Sequence, residues 1–312
     1  MPFGVAGGNV RAVNFGRLGK KMRILIGFNG SEASTAALQD LRYAGLPDES
    51  EVLILTVAEA WHPPMTADEA SRIASAGVAK IGKEFPKWIV TAETATGSPP
   101  RELLARAESF KPDLIVVGEP RQNFSERNPF IGHTSQTILT DVECSVRIAR
   151  GCASPVLHPE RILVGFDGSA GAMHAVESIA SRKWPVDTEV RLLVAADSIV
   201  MGSIGRFVPQ MTGVAVETKF ASQWAESLAS TALAKLKEAG ISSSVEVRLG
   251  RPKDVILEEA ERWNADNIFV GPHCAANSFE RFLIGSVSAA VAARAHCSVE
   301  VIRGNGSKLQ VM

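Results

Sequence analysis

A stretch of this chain returns almost intact further along, and a repeat of that kind limits the fold to one unit used twice. "RILIGFNGSEAS" at 23–34 recurs as "RILVGFDGSAGA" at 161–172. "GSPPRELLARAESFKPDLIVVG" at 97–118 recurs without a gap as "GRPKDVILEEAERWNADNIFVG" at 250–271, and "CSVRIAR" at 144–150 as "CSVEVIR" at 297–303. The last two pairs are each 153 residues apart, whereas the first pair is 138 apart, so the second copy carries about 15 extra residues. "DSIVMGSIGRFVPQMTG" at 197–213 is the natural home for them.

Both copies follow the same succession. An apolar run (23–28, 161–166) meets a turn and a helix that begins at Ser31 or Ser169, both good N-cap residues. A second strand (52–58, 190–196) leads to a long helix (66–84, 216–239), and a short strand (88–94, 244–249) to another (99–110, 252–263). A fourth strand (113–117, 266–270) runs into a glycine-bearing loop, then a helix (133–141, 286–295) and a closing strand (145–149, 298–302). Strands that are apolar throughout and alternate with helices predict a parallel sheet covered on both faces. The fold class is therefore α/β: two tandem, doubly wound, five-stranded parallel-sheet domains of Rossmann-like type. The expected organisation is a flexible leader at 1–21, a first domain at 22–151, a link at 152–160, a second domain at 161–304 and a tail at 305–312.

A formal net charge of −1 leaves no electrostatic footprint for nucleic acid or an anionic membrane. The longest apolar runs are strand-sized, well short of a bilayer span. The Gly-rich leader lacks the continuous apolar core of a secretory signal. Four cysteines in a chain this long do not make a disulfide framework, and Cys144 and Cys297 read as small buried hydrophobes. A cytoplasmic protein is expected.

In a doubly wound sheet, ligands bind beyond the carboxyl ends of the strands, where strand order switches direction. In the second copy, Asp167 follows the first strand and can accept hydrogen bonds from ribose hydroxyls. Gly271 follows the fourth strand and has no Cβ to obstruct a ligand. Gly285, Ser286, Val287 and Ser288 open a helix whose free N–H groups and positive dipole end attract phosphate. The same features also suit a plain turn followed by a helix that Ser286 caps, so both readings stand on local grounds.

Taken in order, "ILVGFDGS", the glycine loop before "GSVS" and the closing "CSVEVIR" strand make the chain similar to the universal stress proteins, as a tandem member, over about 22–304. The resemblance implies an adenine nucleotide alpha hydrolase-like fold and ATP or AMP as ligand. It assigns ribose to Asp167, the base to Ala195, the ribose–phosphate region to Gly271 and phosphates to Gly285, Ser286, Val287 and Ser288, with Gly168 counted among the binding residues. The matching first-copy positions are Asn29, Val57, Gly118, Gly132, His133, Thr134 and Ser135. Arg121 and Cys274 stand where the family motif has its second glycine, and each loop is one residue longer than the motif. Arg121 could instead pair with a phosphate. With asparagine at 29 and histidine at 133, the first copy departs further, and the second is the expected nucleotide site.

The resemblance also implies that the two domains pair face to face about a pseudo-two-fold, with the fifth strands as the pairing edge, making an internal dimer that can pair again. A nucleotide-responsive regulator is the leading expectation; an interaction module with degenerate loops, or a slow ATPase, are the alternatives. No turnover enzyme is expected: the chain has no Ser-His-Asp arrangement, nucleophile elbow or Walker motif. His62, His158, His174, His273 and His296 have no zinc-site spacing, and the five tryptophans are scattered singly.

Overall fold

The computed structural model describes residues 21–59, 65–120, 131–151, 159–196, 214–271 and 285–303. Nearly all of the expected leader, most of the link, the insertion at 197–213 and the tail lie outside the described residues, as do Arg121, Cys274, His62, His158 and His273.

The first half runs β1 (Met22–Gly27), α1 (Glu32–Asp40), β2 (Ser50–Ala58), α2 (Ala67–Glu84) and β3 (Ile89–Thr96). It continues through α3 (Pro99–Phe110), β4 (Leu114–Gly118), α4 (His133–Asp141) and β5 (Ser145–Ala149). The second half repeats this order with β6 (Arg161–Gly165), α5 (Ala170–Ala180), β7 (Glu189–Ala196), α6 (Val214–Glu238) and β8 (Ser242–Leu249). It closes with α7 (Pro252–Arg262), β9 (Asn267–Val270), α8 (Ser286–Arg294) and β10 (Ser298–Val301). Ser31 and Ser169 cap α1 and α5, their hydroxyls accepting from Ser34 N and Ala172 N at 3.2 Å each. Pro99 and Pro252 open α3 and α7, where a missing N–H costs nothing.

All ten strands belong to one sheet, in the order β3-β2-β1-β4-β5-β10-β9-β6-β7-β8. Every pairing is parallel except the central one, where β5 and β10 run antiparallel with Val299 opposite Ile148, Glu300 opposite Arg147 and Val301 opposite Val146. The expected face-to-face packing is thereby corrected: the halves join edge to edge. Helices already cover both faces, and at the inner edges of the two halves the open N–H and C=O rows of β5 and β10 supply each other's partners, leaving β3 and β8 as the outer edges.

The two faces of this sheet differ. On the face of α3, α4, α7 and α8, one apolar cluster crosses the junction, with Val146, Ile148 and Ile138 continuous with Val299, Val301 and Val291. On the other face the cores stay separate, α1 and α2 over the first half and α5 and α6 over the second. Between them lies a buried ionic network. Arg147 Nε donates to Asp40 Oδ2 at 2.6 Å, Nη1 to Glu300 Oε2 at 3.3 Å and Nη2 to Asn267 Oδ1 at 2.6 Å. Arg182 donates to both Glu300 oxygens. Asn267 Nδ2 donates to Tyr43 O at 3.1 Å and to Glu160 Oε2 at 2.8 Å. Arg147, Glu300 and Glu160 are all inaccessible to solvent.

Arg147 and Glu300 are equivalent positions of the repeat, 153 residues apart, and face each other across the pseudo-two-fold. Two identical copies paired in this way would set like charges together. Beside them, Arg150 and Arg303, also equivalent, reach into the opposite half. Arg150 donates to the carbonyls of Ala292 and Ala293 at the end of α8 and to that of Cys297 just before β10, and Arg303 to those of Leu139 and Val142 at the end of α4. Each half thus supplies the cation that satisfies the other's helix C-terminus.

Replacing one member of a buried charge pair strands its partners. Arg147→Met is therefore expected to cost about 3–5 kcal/mol in urea denaturation, whereas Arg23→Met, which loses a partly exposed pair with Glu51, should cost about 1 kcal/mol or less. Glu160 gives a pH test. Burial, reinforced by Asp266 and Asp40 against Arg147 and Asn267, pushes its carboxyl from 4.5 up to about 8. Between those values the folded chain holds a proton that the unfolded chain has lost, so this group makes stability fall as pH rises from about 4.5 to about 8. Glu160→Gln keeps an acceptor for Asn267 and removes the titration. Melting temperatures at pH 6 and 8 should show the fall flattened, with a gain of about 1–3 kcal/mol at the higher pH.

Candidate functional site

In each half the chain leaves β1 or β6 for a strand on one side and later returns to the other side, which puts the switch point between β1 and β4 and between β6 and β9. In the second half Gly165 lies opposite both Leu193 and Val270. Asp167, Ala195 and Gly271, each one or two residues further along, therefore leave three adjacent strands at the same end. Ser288 Oγ donates to Gly271 O at 2.8 Å, which ties the first turn of α8 to the same place. The candidate residues of the second copy are brought together.

Asp167 is exposed, and its Oδ1 accepts from Ser169 N at 2.9 Å. Gly168 adopts φ +76°, which a side chain would strain, so it makes the turn that delivers Asp167. In the first copy Asn29 Oδ1 accepts from Ser31 N at 3.1 Å and Gly30 takes the same φ. This local turn needs no charge, so the carboxylate at 167 adds something the turn itself does not require. Ala195 is half-buried and Val57 buried, both against the shared apolar cluster.

The reason for glycine at 271 differs from the expectation. A Cβ there would run into the backbone of Gly171 and Ala172 in α5, and one at Gly118 would meet Ala33 O of α1 at 2.5 Å. The missing side chain makes room for a helix. The expected capping role of Ser286 is also corrected: Gly285 occupies the N-cap position and Ser286 is the first helical residue, exposed, with no side-chain cap at this end. Ser288 is buried and turned to Gly271. Among the described residues no side chain caps the first turn at 286–288, and that turn carries no acidic residue.

The first copy is different at this point. Gly132 is the N-cap of α4, and His133 is exposed, Thr134 half-buried and Ser135 buried. Glu119, directly after β4, places Oε1 over the helix start, where it accepts from Gly132 N at 3.2 Å and from Ser135 Oγ at 2.6 Å. Sequence reading missed Glu119. The signal was a carboxylate beside Gly118 where the equivalent position of the second copy is Pro272. Among the described residues no three His, Cys, Asp or Glu side chains are grouped to hold a metal ion, and no helix is long and apolar enough to cross a membrane. Cys144 is half-buried and Cys297 buried.

The model of the universal stress protein family matches this chain twice, over 21–150 and 159–303. Among solved structures, a universal stress protein from Archaeoglobus fulgidus is 22% identical, with 90% of this chain and 98% of that one covered and a TM-score of 0.60. A functionally unknown protein from Pseudomonas aeruginosa is 16% identical, covering 91% of this chain and 92% of that one, also with a TM-score of 0.60. Coverage of nearly the whole of each chain extends the shared fold across both halves.

Because Gly271 is packed against a helix, Gly271→Ala is expected to lower stability by about 1–3 kcal/mol or more with no ligand present, checked by thermal melting.

Proposed function

The chain belongs to the universal stress protein family, and we propose that within it this protein is a cytoplasmic regulator that binds an adenine nucleotide, ATP or AMP, in its second half. The supporting observation is the start of α8, which no side chain caps among the described residues and which Ser288 ties to Gly271, at the same strand ends as Asp167. Phosphate oxygens accept from the N–H groups of Ser286, Val287 and Ser288 and from the Ser286 hydroxyl. Gly285 at the N-cap lets them approach. Asp167 accepts from the ribose hydroxyls, and the half-buried Ala195 offers a small apolar surface to the base. Nucleotide occupancy, rather than turnover, is the signal in this reading, and the two halves act as an internal dimer.

Calorimetric titration of the full chain with ATP and with AMP tests this. Gly285 has φ −64° and ψ 149°, which any residue adopts, so Gly285→Glu should fold normally while placing a negative charge where phosphate sits. Binding to the parent protein, its loss in Gly285→Glu and a weakening of about tenfold in Asp167→Ala are expected. Unaltered affinity in Gly285→Glu would contradict the assignment.

A further inference from the structure

We propose that Glu119 is the residue that decides which half takes nucleotide, by setting a carboxylate of the chain itself beside the helix start where the first half would receive phosphate. The inference rests on the reading above, that the start of the cradle helix receives phosphate. At α4 the acceptor is already in place: Glu119 Oε1 takes the hydrogen of Gly132 N at 3.2 Å and that of Ser135 Oγ at 2.6 Å. Both atoms belong to the glycine–serine frame whose second-half equivalents are Gly285 and Ser288.

The carboxylate is delivered from a well-held backbone. Gly118, just before it, lies against Ala33 of α1, and Glu119 N donates to Ala149 O at 2.9 Å. The contact at Gly132 is close enough that a Cβ there would stand 2.6 Å from Glu119 Oε1. A nucleotide phosphate entering this half would have to displace the carboxylate or sit beside its negative charge, and the helix dipole is already satisfied by an anion.

The second half lacks this residue. Its equivalent position, 153 residues later, is Pro272, which has no carboxylate. Freed from that role, Ser288 Oγ donates to Gly271 O instead, so the two serines at one position of the repeat hold different partners. Glu119 is thus a specificity-determining residue that makes a two-copy chain a one-site protein.

The test is ATP stoichiometry by calorimetry on the full chain, with folding of each variant checked by circular dichroism. The parent protein should bind one ATP per chain, and Glu119→Ala should bind a second with an affinity raised about tenfold or more over the parent's first half. Glu119→Gln keeps the hydrogen bonds but not the charge, so it serves if the alanine variant does not fold, and should also gain binding. The gained site should persist in the Gly285→Glu/Glu119→Ala double variant. One site in all of parent, Glu119→Ala and Glu119→Gln would overturn the inference and leave the nucleotide reading standing. Two sites in the parent would overturn it as well. No site in the parent with one gained in Glu119→Ala would uphold the inference and remove the second half as the native site, whereas no binding in any variant would remove both.

Discussion

The antiparallel pairing of β5 with β10 is the constraint on which the rest of the molecule depends. It converts two five-stranded sheets with open edges into a single ten-stranded sheet, and it buries Arg147 against Glu300 at the pseudo-two-fold. Charge burial of this kind is costly in itself and does not explain stability. Its consequence is specificity. Because Arg147 and Glu300 are the same position of the repeat, pairing a half with its own copy would set arginine against arginine or glutamate against glutamate. Pairing a first half with a second half, as within this chain, leaves the members of the network partnered, from Asp40 and Ser298 to Arg182.

The same junction reaches the sites. Arg150 and Arg303 each cross it to bind the C-terminal carbonyls of the other half's cradle helix. The helix whose N-terminus is proposed to hold phosphate in one half is thus anchored at its far end by the other half. Neither half carries its cradle helix complete with its own caps. Divergence between the copies then acts locally on a shared frame, with Asn29 against Asp167, Val57 against Ala195 and Glu119 against Pro272.

Much of the fold was legible in the sequence because apolar strands at a fixed offset leave few alternatives. The element order and the N-caps Ser31 and Ser169 follow from pattern and spacing, and the β5–β10 edge from the family resemblance. What escaped was set by tertiary contact. A charged residue in the middle of a short strand, as in "SVRIA", ordinarily marks a solvated face, yet Arg147 and Glu300 are sealed because a second copy covers each edge. The glycine at 271 suggested space for a ligand, but that space holds the backbone of α5, which no local pattern reveals. Ser286 looked like a cap because serine before an apolar run usually is one, and here the preceding glycine takes that place. Glu119 was visible as a letter but not as an anion, since its meaning depends on a helix start thirteen residues further along.

Hydrogen–deuterium exchange of the full chain with and without ATP measures the central claim most directly, because it reads the backbone N–H groups of both cradles in one experiment. The account expects ATP to slow exchange at 286–288 and leave 133–135 unchanged. Slowing at 133–135 alone, or equally at both helix starts, would contradict it.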